Sequence, residues 1–169
     1  GLNESDERTL IDAVTATFVQ HEGAPPAGWL SPWIAETERT PDLLAEAGYR
    51  YVLDWCMDDQ PVWLKTRKGR ILAVPYPQEL NDSAAIIGRH VSAAEFSDMV
   101  IDQFDEMLEQ SQAQAHPQPL VMGIALHSMI VGQPFRLRQL RRAFAHLTRH
   151  RDEVWITTAG EIAGHCAAA

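Results

Sequence analysis

Thr40-Pro41-Asp42-Leu43-Leu44-Ala45-Glu46-Ala47-Gly48-Tyr49-Arg50-Tyr51-Val52-Leu53-Asp54, residues 40–54, encodes a helix and a strand with no linker between them. Proline fits the first turn of a helix, where a missing N–H costs no hydrogen bond, and Gly48 is a stop signal able to take a left-handed backbone. Tyr49 to Asp54 then reads as a buried strand that ends on an aspartate. Helices alternating with short apolar strands are the pattern of an α/β fold with parallel strands.

Working outward, the same alternation continues. Upstream, Ser5 caps a periodic run of Leu10, Ile11, Val14 and Phe18 that ends near Gly23. Pro25, Pro26 and Gly28 break the chain, and Trp29 to Ile34 reads as a strand end and loop. Downstream, Val62–Leu64 and Arg70–Val74 flank Lys68-Gly69, a turn pair suited to a hairpin, and Pro75 and Pro77 end its second arm. Ser92 caps the longest helix, in which Phe96, Met99, Val100, Phe104 and Leu108 follow helical spacing. Leu120 to Leu126 is a nearly unbroken apolar run, as expected of a parallel strand covered on both faces. A helix from about Arg136 to His150, a short strand at Val154 to Thr157 and a helix from Ala159 to Cys166 complete the order. No repeat or low-complexity tract interrupts it, so a single domain over residues 1–169 is expected. The central strands number roughly half of the eight in a complete (β/α) barrel, which leaves a small open sheet and the second half of a barrel as alternatives.

Composition narrows the function. Of 169 residues, 46% are apolar and 22% charged, the balance of a globular domain, and no run approaches the ~20 apolar residues of a membrane span. The net charge of −9 argues against nucleic acid as a partner, and no membrane partner is expected. Six arginines and no acid lie between Arg136 and Arg151, a segment suited to a solvated helix face with acidic neighbours. Cys56 and Cys166 form neither a CxxC nor a disulfide framework, and fit free thiols in a reducing compartment.

In parallel α/β folds chemistry collects where strands end. His127 follows the apolar run directly, where an unpaired imidazole is costly to bury and where it can act as acid or base near neutral pH. Asp54 ends its own strand in the same way and is a candidate to orient such a histidine or hold a base. Trp29, Trp33 and Trp55, with Trp63 nearby, offer indole faces for stacking on a sugar or heterocycle. Asp58, Asp59, Tyr76, Glu79, Asn81 and Asp82 lie in the same strand-end loops and are the remaining candidate substrate contacts. His146 and His150 are four apart, a spacing that suits a metal, yet the surrounding arginines disfavour a dication and the sequence offers no third ligand. No residue is therefore assigned as a metal ligand. There is no phosphate-binding glycine loop, nucleophile elbow or HExxH.

Several of these stretches go together in order: Gly28 to Trp33, the Thr40 to Tyr49 helix, Asp54-Trp55, Pro75-Tyr76-Pro77, Leu126-His127 and Val154-Trp155-Ile156-Thr157-Thr158. In that order they resemble the C-terminal part of the polysaccharide deacetylase family, closest to the branch of deacetylase-like allantoinases and peptidoglycan deacetylase homologues. The resemblance implies the C-terminal portion of a distorted (β/α) barrel, with parallel strands and one β-hairpin insertion. It implies hydrolysis of a non-peptide C–N bond in an N-acetyl amino sugar or a ureide, with His127 as acid, Asp54 tuning the catalytic pair and Trp33 as an aromatic wall. The family's metal-binding Asp and H-x3-H belong to its N-terminal half, so no cofactor is expected in this chain, and a divalent metal such as zinc only if that half supplies ligands. Its usual Arg before the Pro-aromatic pair falls at Leu30, which cannot orient a carboxylate.

The expected partners are a small carbohydrate or ureide, and either a second copy or the missing N-terminal half to cover exposed strand edges. The expected location is the bacterial cytoplasm. Catalysis impaired in this isolated portion is one expectation, and a non-catalytic carbohydrate-binding or assembly subunit is the alternative.

Overall fold

A computed structural model describes all 169 residues. In chain order the helices are α1 (Glu4–Glu22), α2 (Thr40–Ala47), α3 (Ala93–Ser111), α4 (Ser128–Val131), α5 (Pro134–Leu147) and α6 (Ala159–Ala168). The strands are β1 (Gly28–Trp29), β2 (Tyr51–Val52), β3 (Val62–Thr66) and β4 (Gly69–Ala73). They form two compact units, one of Gly1–Pro75 with Thr157–Ala169 and one of Tyr76–Ile156.

The first unit is built on a mixed sheet in the order β1-β2-β4-β3. β1 with β2 and β2 with β4 are parallel, and β3 runs antiparallel to β4. Side chains alternate across a sheet, and here both faces are covered. Val52, Ile71 and Ala73 face a cluster with Ile11 of α1 and Leu43 and Leu44 of α2. Their neighbours Tyr51, Leu53, Leu72 and Val74 face Ala163 and Ile162 of α6. Two-sided burial is why Tyr51–Leu53 and Ile71–Val74 read as unbroken apolar runs. Each fully buried Leu, Ile or Val contributes on the order of 1.5–3 kcal/mol over leaving it exposed.

Two glycines are dictated by geometry. Gly48 ends α2 at φ 95°, a left-handed conformation that lets its N–H reach the carbonyls of Leu44 and Ala45. Gly28 pairs with Tyr51 across β1 and β2, and a Cβ there would lie 2.0 Å from the Tyr51 ring.

In the second unit α3 packs along α5. Phe96 and Val100 of α3 meet Leu80, Ala85, Ile86, Ile130, Val131 and Ala143 in one core. The buried Ser97 hydroxyl donates to the Gln139 carbonyl at 2.9 Å and ties the two helices together. Ser92 and Glu95 form the capping box of α3, as Thr158 and Glu161 do for α6.

Four local expectations are corrected. The cap of α1 is Asn3, whose Oδ1 accepts from the Asp6 N–H at 2.9 Å, and not Ser5. Thr66 pairs with Gly69, so the β3–β4 connection is Arg67-Lys68, with Gly69 at φ 97° just after it. Leu120–Leu126 is extended but makes only one parallel bridge, Asn81 with Ala125, through the Ala125 N–H to Leu80 O and the Asp82 N–H to Ala125 O. Val154–Thr157 is not a strand, and Trp155 and Ile156 remain 59% and 70% exposed. In the last two segments the apolar pattern is present but a full ladder is not, and apolarity without a paired backbone does not make a strand. A π-helical segment, Ser83–Gly88, and the short α4 had no sequence signal.

Candidate functional site

Candidate residues gather in two clusters, one in each unit. In the first, parallel pairing of β1 with β2 brings their carboxyl ends side by side, and the Leu53 N–H to Trp29 O bond extends that register. Two residues beyond, Ser31 closes on Asp54. Its backbone N–H donates to Asp54 Oδ1 at 2.7 Å and its hydroxyl to Oδ2 at 2.6 Å, while Trp29 Nε1–H donates to the Ser31 hydroxyl at 2.7 Å. A backbone amide and a hydroxyl thus hold the carboxylate in place. Leu30, between Trp29 and Ser31, is 43% exposed and offers this cluster no charge.

Glu36 completes this cluster. Its Oε2 is buried and faces no donor of the chain. Burial first, then the negative charges of Asp54 and Glu7 and a hydrogen bond to Asp54, push its carboxyl up to about 8. Glu36 therefore keeps its proton at neutral pH and donates it to Asp54. Asp54 is itself raised by burial, against the lowering effect of the Ser31 and Glu36 hydrogen bonds. The result is a carboxyl–carboxylate pair sharing one proton. Above it, the turn at Ser31–Ala35 puts Trp33 and Ile34 at φ 60° and 48°, a strained region for a β-branched residue, and leaves Trp33 92% exposed.

In the second unit Asp82 and His127 form a pair. The Leu80–Asp82 backbone bridges to Ala125, which sets the Asp82 side chain under the residue that follows the apolar run. Asp82 is fully buried, with 0% of its surface exposed. Its Oδ2 accepts the His127 backbone N–H at 2.8 Å and its Oδ1 lies 2.6 Å from His127 Nδ1. A carboxylate can only accept, so Nδ1 carries the proton and Nε2 is left to face outward from a side chain that is 43% exposed. An imidazole oriented by a buried carboxylate can donate or accept a proton at Nε2.

The other candidates fall as follows. Asp82 stands behind His127 with both oxygens engaged, not on a substrate-facing surface. Asn81 uses Oδ1 to accept the N–H groups of Ser83 and Ala84 and so caps the π-helical segment. Asp58 accepts from the Gln60 N–H and shapes its own loop, beside exposed Asp59 and Trp55. Tyr76 is half-buried and Glu79 exposed. Trp63 lies under the Arg70 guanidinium, 3.9 Å from the ring centroid. Sequence reasoning missed Ser31 and Glu36. The parallel register that opposes Ser31 to Asp54 was a usable signal for the first, whereas Glu36 lies in a polar loop that carries none.

Neither cluster gathers three His, Cys, Asp or Glu ligand atoms. Such a group occurs once, as Asp105, His146 and His150 in the second unit. A divalent metal at the Asp54 or His127 cluster thus has no ligand set within either unit.

No family model matches the chain. A Schizosaccharomyces pombe protein named "Putative polysaccharide deacetylase" is 32% identical over 116 residues, 63% of this chain and 35% of that protein. Among solved structures, Puue allantoinase superposes with a TM-score of 0.86 at 27% identity, over 99% of this chain and 55% of the other. A structure titled "probable Polysaccharide deacetylase" from Pseudomonas aeruginosa PAO1 gives 0.84 at 27% identity, over 97% of this chain and 54% of the other. The chain therefore spans about a third of its curated relative and just over half of these structures, and its partial coverage fits their C-terminal part. No helix is long and apolar enough to cross a membrane.

Proposed function

From a sequence and a fold that both point to the polysaccharide deacetylase family, we propose that the chain carries part of a hydrolytic site for a non-peptide C–N bond, in an N-acetyl amino sugar or a ureide. It corresponds to the C-terminal portion of a distorted (β/α) barrel, and its remaining strands are covered by the rest of such a barrel or by a second copy. The buried Asp82 beneath His127 Nδ1 is the observation that carries this reading.

Chemically, a water gives up a proton to His127 Nε2 as its oxygen bonds to the carbonyl carbon, and the C–N bond breaks as the leaving nitrogen takes a proton. His127 Nε2 supplies that proton, and Asp82 stabilises the imidazolium that precedes it. Asp54, fixed by Ser31 and by the proton of Glu36, is an oriented carboxylate of the first unit. Trp33 and Trp55 offer faces to a sugar ring. A divalent metal such as zinc would polarise the carbonyl, but its ligands would have to come from outside these two clusters.

One observation favours a second reading. Trp33 stands almost wholly in solvent on a strained backbone, a placement suited to a carbohydrate-binding module without turnover. The native gene product incubated with N-acetylated chito-oligosaccharides and, separately, with allantoin separates the two. Release of acetate, or opening of the ureide ring, supports hydrolysis. Saturable sugar binding with neither product overturns it in favour of the binding module.

A further inference from the structure

Outside the two clusters, one group of side chains has the chemistry of a ligand set. Asp105 on α3 approaches His146 on α5 and His150 in the 3-10 turn that follows, Thr148–His150. One ligand atom from each of the three lies within 4.8 Å of the others. His146 Nε2 and Asp105 Oδ1 are 2.6 Å apart. The sequence separation of 41 between them hid the third group, because only the packing of α3 on α5 supplies it.

The surroundings are organised as well. Phe104 lies against both imidazoles, its ring centroid 6.1 Å from that of His146 and 5.6 Å from that of His150, and limits the rotation of each. Glu153 Oε1 lies 2.8 Å from His150 Nδ1, and Gln112 Nε2 donates to the other Glu153 oxygen at 3.0 Å. A carboxylate on a ligating histidine is the usual outer partner of a metal-bound imidazole.

The arginines of this segment do not close the site. Arg142 is engaged by Asp98 at 2.7 Å and by the Ala94 carbonyl, and Arg151 lies 3.7 Å from Asp152. Asp105 faces the histidines from α3, a helix that also carries Asp102, Glu106 and Glu109.

We propose that Asp105, His146 and His150 bind one divalent first-row transition metal of the zinc class, which clips α3 to the end of α5. Two imidazoles and one carboxylate suit zinc, nickel or copper over magnesium or calcium. Ligand atoms around tetrahedral zinc, at about 2.0 Å from the ion, stand roughly 3.3 Å apart. Filling the site thus opens the Asp105–His146 contact slightly and draws His150 inward, within the reach of side-chain rotation. A fourth position is left to water.

Isothermal titration of the full chain with zinc chloride tests this without reference to turnover. The expected result is saturable binding of one ion, a rise in melting temperature on zinc addition that a chelator reverses, and no such response to magnesium. His146→Gln and Asp105→Asn, both at solvent-accessible positions, each weaken binding at least tenfold, and His116→Gln leaves it unchanged. Cobalt(II) in place of zinc gives the intense visible absorption of a four-coordinate site in the wild type and not in His146→Gln. No saturable binding at millimolar zinc overturns the proposal, as does full affinity in both variants.

Discussion

His127 and Asp82 define the site at the scale of single residues. The carboxylate fixes the proton on Nδ1, so nitrogen-15 NMR of the imidazole is expected to show Nδ1 protonated and Nε2 bare when the ring is neutral. Asp82→Asn removes the charged acceptor, and the same spectrum is expected to show loss of that single tautomer. At Asp54 the prediction concerns pH. Glu36 moves from its ordinary 4.5 to about 8 on folding. Between those values the folded chain holds a proton that the unfolded chain has released, so stability falls as pH rises through that window and levels above it. The raised Asp54 acts in the same direction. Denaturant midpoints from pH 5 to 9 are expected to decline in the wild type and to decline less in Glu36→Gln. Equal slopes would remove the protonated Glu36. His127 and Asp54 were legible because each closes an apolar run. Glu36 was not, because its proton comes from burial beside Asp54, which no local pattern encodes.

At the scale of elements, the longer helices were legible, and the short α4, the Ser83–Gly88 segment and strand pairing were less so. Helix signals are local: Pro41, Gly48, the Ser92–Glu95 box and the Phe96–Val100–Phe104 spacing all lie within the helices they define or at their ends. A strand needs a partner distant in sequence, and Leu120–Leu126 and Val154–Thr157 carry strand composition without a ladder. Where partners exist the pairing is tight. Gly28→Ala drives a methyl group into the Tyr51 ring across β1 and β2, and overpacking of this kind costs about 1–3 kcal/mol. Thermal or urea unfolding of that variant is expected to show a loss in this range, whereas an unchanged midpoint would mean that β1 shifts freely. Since the β1–β2 register also opposes Ser31 to Asp54, Gly28→Ala is expected to loosen the Asp54 cluster as well.

At the scale of the whole molecule, the two-sided sheet of the first unit and the α3–α5 layer of the second account for most of the buried residues. The alternation of helix and strand made the α/β class legible from the sequence. The division into two packing units was not, because it depends on which distant segments share a core. Fold and sequence alike lead to relatives about twice to three times the length aligned here. The central claim is that His127 delivers the proton to the leaving nitrogen. The most direct measurement is kcat on N-acetylated chito-oligosaccharide and on allantoin, for the wild type against His127→Ala, with far-UV circular dichroism to verify folding. A loss of about 10²–10⁴ in kcat with an unchanged spectrum is the predicted result. A folded His127→Ala protein that turns over within twofold of the wild type would contradict it.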